Sequence, residues 1–127
     1  MKVSGVPYEV NLSRTVTYPW MPKALNPNAR VNKFLKNKMF QDYKLAVWQL
    51  TKVANVELDQ SKRILLDIMF YKPDKRRRDL DNCLSAFKAG LDGISLAVGI
   101  DDSKFKLAID IADEIGGYVK VNFLYKE

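Results

Sequence analysis

Apolar and polar positions alternate in two rhythms along this chain, and the changes of rhythm mark its elements. In residues 1–18, "YEVNL" alternates and "RTVTY" is rich in β-branched residues, which predicts one or two short strands. "PWMPKALNPNAR" follows, a proline- and asparagine-rich loop in which Trp20 is expected to cap the core. From Asn32 to Ala54 the period lengthens: Phe40, Tyr43, Val47, Leu50 and Ala54 recur at helical spacing with polar residues between them. This predicts one long amphipathic helix with its apolar stripe on the core. Ile64, Leu66, Ile68 and Phe70 then alternate with Leu65, Asp67, Met69 and Tyr71, a strand with one strongly apolar face that Lys72-Pro73 ends.

A second helix is predicted to begin near Asp81. Leu80, Cys83, Leu84, Phe87, Leu91 and Ile94 share one face, and Asp81, Ser85, Lys88 and Asp92 form a polar stripe beside it. Gly99 ends the pattern. Leu107, Ile109 and Ile111 alternate, as do Val119, Val121 and Phe123, and Gly116-Gly117 between them predicts a β-hairpin. The order strands, helix, strand, helix, hairpin indicates an α+β fold, two main helices against a small mixed, mainly antiparallel sheet. With 127 residues and no internal repeat or linker, residues 1–127 read as a single domain.

Composition narrows the chemistry. The chain has no histidine, which excludes histidine-ligated zinc, serine–histidine triads and histidine as a general base. Cys83 is the single cysteine, so no intrachain disulfide forms and a reducing cytoplasm is the expected compartment. "MKVSGVPYEV" lacks the apolar core of a signal peptide, and no apolar run approaches the roughly 18 residues of a membrane span, so no membrane partner is expected. The net charge of +6 is compatible with nucleic acid as a partner.

The candidate site centres on "KPDKRRRDLDN", residues 72–82, which sorts its charges into a basic block and then an acidic pair. Lys72, Lys75, Arg76, Arg77 and Arg78 suit a phosphate backbone, because guanidinium donates two parallel hydrogen bonds to phosphate oxygens. In an extended segment Asp79 and Asp81 point the same way and can converge on one point. The bland alternative makes Asp81 the cap of the second helix and pairs Asp79 with an arginine. A second acidic pair, Asp101-Asp102, follows that helix. If the returning segment packs beside the entry, these carboxylates gather and need a cation among them. Mg²⁺, with Mn²⁺ as the substitute, prefers such all-oxygen sites. Asp74 and the remaining acids read as solvated. The two halves together suggest metal-dependent phosphodiester hydrolysis.

"RRRDLDN", a helix, then "DDSKF" resembles the RusA-type Holliday junction resolvases. The "VTYPWMP" strand and loop, the long helix, the strand into "KP" and the final hairpin follow in that family's order, over roughly residues 14 to 125. The resemblance implies a RusA-like fold and a homodimer that resolves four-way or other branched DNA by paired cuts in recombination and repair. It further implies a phage or prophage origin and action in the cytoplasm of a bacterium or infected host. It makes Asp79, Asp81 and Asp102 the catalytic, metal-holding aspartates, with Asp101 beside them, and matches Asn82 to the motif's asparagine. Residues 1–13 become an N-terminal extension. One departure stands out: the family's lysine, four residues after the second motif aspartate, is Ser85 here. Lys88, on the same stripe, is the expected replacement, with a solvated surface lysine as the alternative. The competing expectations are a dimer that binds branched DNA without cutting it, and a nuclease acting on another branched substrate.

Overall fold

The structure is a computed structural model and describes residues 8–126. Residues 1–7 of the expected N-terminal extension lie outside it. Four strands, β1 (Tyr8–Pro19), β2 (Arg63–Tyr71), β3 (Phe105–Ile111) and β4 (Tyr118–Lys126), form one sheet in the order β1-β4-β2-β3. β4 runs antiparallel to both β1 and β2, while β2 and β3 are parallel. Three helices complete the fold: α1 (Lys33–Val53), α2 (Leu80–Ala86) and α3 (Lys88–Val98). This is the α+β architecture with a mixed, mostly antiparallel sheet that the pattern predicts. Among the described residues no helix is long and apolar enough to cross a membrane.

The period-2 alternation of β2 and β4 builds the core. Leu66, Ile68 and Phe70 stand opposite Phe123, Val121 and Val119, all essentially inaccessible to solvent. Val16 and Tyr18 of β1 extend the same layer. Each such apolar side chain contributes about 1.5–3 kcal/mol by leaving water. α1 starts at Asn32, whose side chain accepts the Leu35 N–H at 2.8 Å. Its buried stripe is Tyr43, Val47 and Thr51, one residue off the expected Leu50, which is 38% exposed. Thr51 can be buried because its hydroxyl donates to the Val47 carbonyl at 2.7 Å. Its oxygen is then the acceptor for the Tyr18 hydroxyl, also at 2.7 Å. α3 packs on α1. A Cβ at Gly93 would stand 2.5 Å from the Lys44 carbonyl oxygen, so the two helix backbones touch there and only glycine fits.

Two expectations are corrected. The glycine pair does not close a hairpin: β3 pairs with β2 and not with β4. The connection over residues 112–117 passes across the end of β2 instead. The Gly116 N–H donates to the Lys72 carbonyl at 2.8 Å, the Gly117 N–H to that of Tyr71 at 2.8 Å, and the Ala112 N–H to that of Phe70 at 2.9 Å. A strand lies between β3 and β4, so the connection must cover two inter-strand spacings, about 9.5 Å, which a two-residue turn cannot. The second helix is also two helices. Phe87 (φ −84°, ψ 2°) interrupts it and shares its N–H between the Cys83 and Leu84 carbonyls. α2 packs on β3 while α3 lies on α1, and the break at Phe87 allows both.

Candidate metal and nucleic-acid site

The loop between β2 and α2 is organised by Asp74. Its carboxylate accepts the Arg76 N–H at 2.9 Å, the Arg76 Nη2 at 3.0 Å and the Arg78 Nη1 at 2.7 Å. The first of these is the side-chain-to-backbone bond two residues on that makes an Asx turn. The guanidinium of Arg78, lying 5.6 Å from the Trp20 ring centroid, ties the loop to the proline-rich segment. Asp74 is therefore no solvated acid. The signal was present in "KPDKRRR": an aspartate after proline with arginines at i+2 and i+4. The basic block divides accordingly. Arg76 and Arg78 shape the loop, whereas Lys75 and Arg77 are exposed with no ion pair among the described residues and Lys72 is half-buried.

The hydrogen bonds from Arg78 and then Arg76 hold the Asp74 carboxyl well below the usual carboxylate range. A depressed folded-state pKa contributes stability above the unfolded value of about 3.9, lost only as pH falls through the lower folded value. In an NMR titration Asp74 is expected to stay ionised at pH 3, with the loop's amide shifts unchanged. A midpoint near 3.8 would show that the two arginines do not hold it.

Asp79 occupies the N-cap position of α2, yet its side chain makes no capping bond. The main chain does the work there, the Asp79 carbonyl accepting the Cys83 N–H at 3.1 Å. Asp81, in the first turn, is likewise exposed and unpaired. The capping and arginine-pairing alternatives thus fail for both residues, and two neighbouring carboxylates are left free. Asn82 is half-buried beside them. Asp101 behaves otherwise: its Oδ1 accepts the Ser103 N–H at 3.0 Å and caps the short 3-10 turn Asp102–Lys104. That bond, with the Ser103 hydroxyl, lowers its pKa. Asp102 is exposed beside it.

The two acidic pairs do not meet within one chain. Asp79 lines a cleft with Trp20, and Trp20 packs edge-on against Phe70 near the C-terminal end of β2. Asp101 and Asp102 precede Phe105, which pairs with Ile64 at the other end of that strand. The six steps from Ile64 to Phe70 amount to about 20 Å. Parallel pairing of β2 and β3 causes this, because α2 and α3 must carry the chain back to the start of the sheet. Among the described residues no three acidic or cysteine side chains are grouped closely enough to hold a metal ion. The expectation that Asp79, Asp81, Asp101 and Asp102 gather in one chain is corrected accordingly. Ser85 and Lys88 are exposed on either side of the Phe87 break, and Lys88 makes no ion pair.

The cleft beside Asp79, about 660 Å³ in volume, lies between the proline-rich segment and α2. Met21, Cys83 and Ala86 are its buried apolar residues, and Trp20 lines it half-buried. Burial raises the Cys83 thiol pKa, which suits this apolar role and not that of a nucleophile.

No protein-family model matches the chain. An uncharacterized protein of Xylella fastidiosa strain Temecula1 is 35% identical to it over 109 residues, which are 84% of this chain and 71% of that protein.

Proposed function

We propose, for a chain that belongs to one family with that Xylella fastidiosa protein, a metal-dependent DNA endonuclease of the RusA type that cuts four-way or other branched DNA as a homodimer. The observation that carries this reading is the pair Asp79 and Asp81, left free at a helix entry where capping was the default, beside the unpaired cations Lys75 and Arg77. Two free carboxylates this close repel each other, and a hard cation held by their oxygens would relieve that repulsion.

Half of a metal site lies at each end of the β2–β3 pair, and a two-fold dimer joins such halves. In an isologous pair, Asp79 and Asp81 of one copy face Asp101 and Asp102 of the other, and symmetry creates the second site at once. These are the residues that would hold Mg²⁺ or Mn²⁺. The ion, when bound, polarises the phosphate and lowers the pKa of a bound water. The chain's own residues do the rest. Arg77, Lys75 and Lys72 neutralise and position the DNA backbone, and Arg76 and Arg78, fixed by Asp74, keep the loop in shape. Two sites related by one axis would give paired cuts in strands of like polarity.

Nicking of a synthetic four-way junction in Mg²⁺, absent in chelator, tests the reading. Junction binding with no cut in either Mg²⁺ or Mn²⁺ would leave only the non-cleaving dimer, which the Ser85 departure favours. Within the nuclease, Lys88→Ala is expected to slow nicking by about 100-fold, the order for one lost donor to developing charge. Ser85→Lys in that background should restore part of the rate. Nicking by Lys88→Ala at the wild-type rate would remove Lys88 from the mechanism.

A further inference from the structure

We propose that the cleft beside Asp79 is a nucleotide pocket, which takes one unpaired nucleotide of the branched DNA and so sets where the chain cuts. This inference rests on the nuclease reading and specifies the substrate of that same site. The first support is size. A cleft of about 660 Å³ lies within the roughly 300–1,000 Å³ of small-molecule sites and far exceeds what one phosphate needs.

The second support is the division of its chemistry. The apolar side of Met21, Cys83 and Ala86 has no use to a bare anion, but it suits the flat body of a base. Lys23 and Arg77, both exposed and without ion pairs, line the same cleft and suit the phosphate of that nucleotide. The side-chain amides of Asn82 and Asn28 also line it and make no side-chain hydrogen bond. Asn26 differs, since its Oδ1 is taken by the Asn28 N–H at 2.9 Å. A free amide offers both a donor and an acceptor, the combination that reads a base edge. A concave site cannot reach a base stacked in duplex, so the occupant is a nucleotide drawn out of the stack at the branch point, as enzymes that act on a single base draw theirs.

The third support is position. Asp79 lines the same cleft, so a nucleotide seated there brings its phosphodiester to the carboxylate.

The test uses four-way junctions in which each nucleotide around the branch point is replaced, one at a time, by an abasic residue. Binding to the full chain is measured by anisotropy in Ca²⁺, and cleavage of the same junctions in Mg²⁺. One abasic position is expected to weaken wild-type binding about tenfold, the order for losing one bound base. Asn82→Ala, and separately Asn28→Ala in its exposed loop, should weaken binding to the intact junction yet lose less than twofold to that abasic change. The double-mutant comparison cancels any effect of the abasic residue on the junction itself. If no position weakens wild-type binding more than twofold, or both variants lose as much as wild type, the pocket is overturned. Normal cleavage alongside that result would leave the nuclease standing. Abasic sensitivity coupled to Asn82 with no cleavage would retain the pocket and sink the nuclease. Failure to bind any junction would overturn both.

Discussion

Asp79→Asn is expected to fold like the wild type and to lose metal-dependent nicking of a four-way junction by well over about 100-fold. That loss exceeds the 10–100-fold typical of removing an outer partner of a metal ligand, because here the ligand itself loses its charge. The separation of folding from activity is what makes the experiment informative. A capping aspartate would cost about 1 kcal/mol on substitution. The Asp79 side chain makes no capping bond and is exposed, so thermal stability should shift by less than about 0.5 kcal/mol. Asp81→Asn should behave the same way. Asp101→Ala should differ, since the Asp101 side chain caps the turn before β3, and losing that cap would lower stability as well as rate, whereas Asp101→Asn keeps the acceptor. Wild-type nicking by Asp79→Asn would take the metal away from this end of the sheet.

The largest expected change in stability comes from Phe87→Ala. Phe87 is fully buried where helices and sheet meet, with ring centroids 6.2 Å from Tyr18, 6.2 Å from Tyr43 and 6.0 Å from Phe70. A Cβ at Gly90 would stand 2.6 Å from the Phe87 ring, so glycine there is what gives the ring room. Truncation removes the shared partner of three aromatic rings and leaves a cavity that rigid neighbours cannot close. The cost should be about 3–5 kcal/mol, or some 10–20 °C in melting temperature. Phe87→Leu, which refills most of the volume, should recover more than half. A loss below about 1.5 kcal/mol for Phe87→Ala on urea unfolding would mean that the core does not depend on this ring. Nicking should fall with stability, since Phe87 joins α2, which opens directly after Asp79, to the rest of the core.

Local signals in the sequence reach as far as local physics does. The extent of α1, about Asn32 to Ala54, was legible because a 3.6-residue period is a property of a short window. The apolar face of β2 was legible for the same reason. Leu50 was not, because hydrophobicity favours it over Thr51. What buries Thr51 is a hydroxyl bonded to Val47 and Tyr18, one partner of which is 33 residues away. The break at Phe87 leaves the apolar period intact and is therefore silent in it. Gly116-Gly117 looked like a hairpin because strand adjacency is non-local: whether β2 inserts between β3 and β4 is decided across the whole sheet.

That same choice of partner governs the site. The acidic pairs and the basic block were readable in "KPDKRRRDLDN" and "DDSKF", though not that Asp79 and Asp81 are left free of caps and arginines. Their separation was not, since it follows from the parallel pairing of β2 with β3 and nothing near Asp79 or Asp102 encodes it. Asp74 escaped notice for a simpler reason: its two arginine partners were assigned to DNA.

In the proposed dimer each site combines Asp79 and Asp81 of one copy with Asp101 and Asp102 of another, and subunit mixing tests that arrangement. Asp79→Asn/Asp81→Asn protein and Asp101→Asn/Asp102→Asn protein should each be inactive alone. Exchanged into mixed dimers, they assemble one wholly mutant site and one wholly intact site. The expected result is restored single nicking of a four-way junction, without the paired cut. A mixture in which mixed dimers form and bind the junction but remain as inactive as either parent would contradict the shared site.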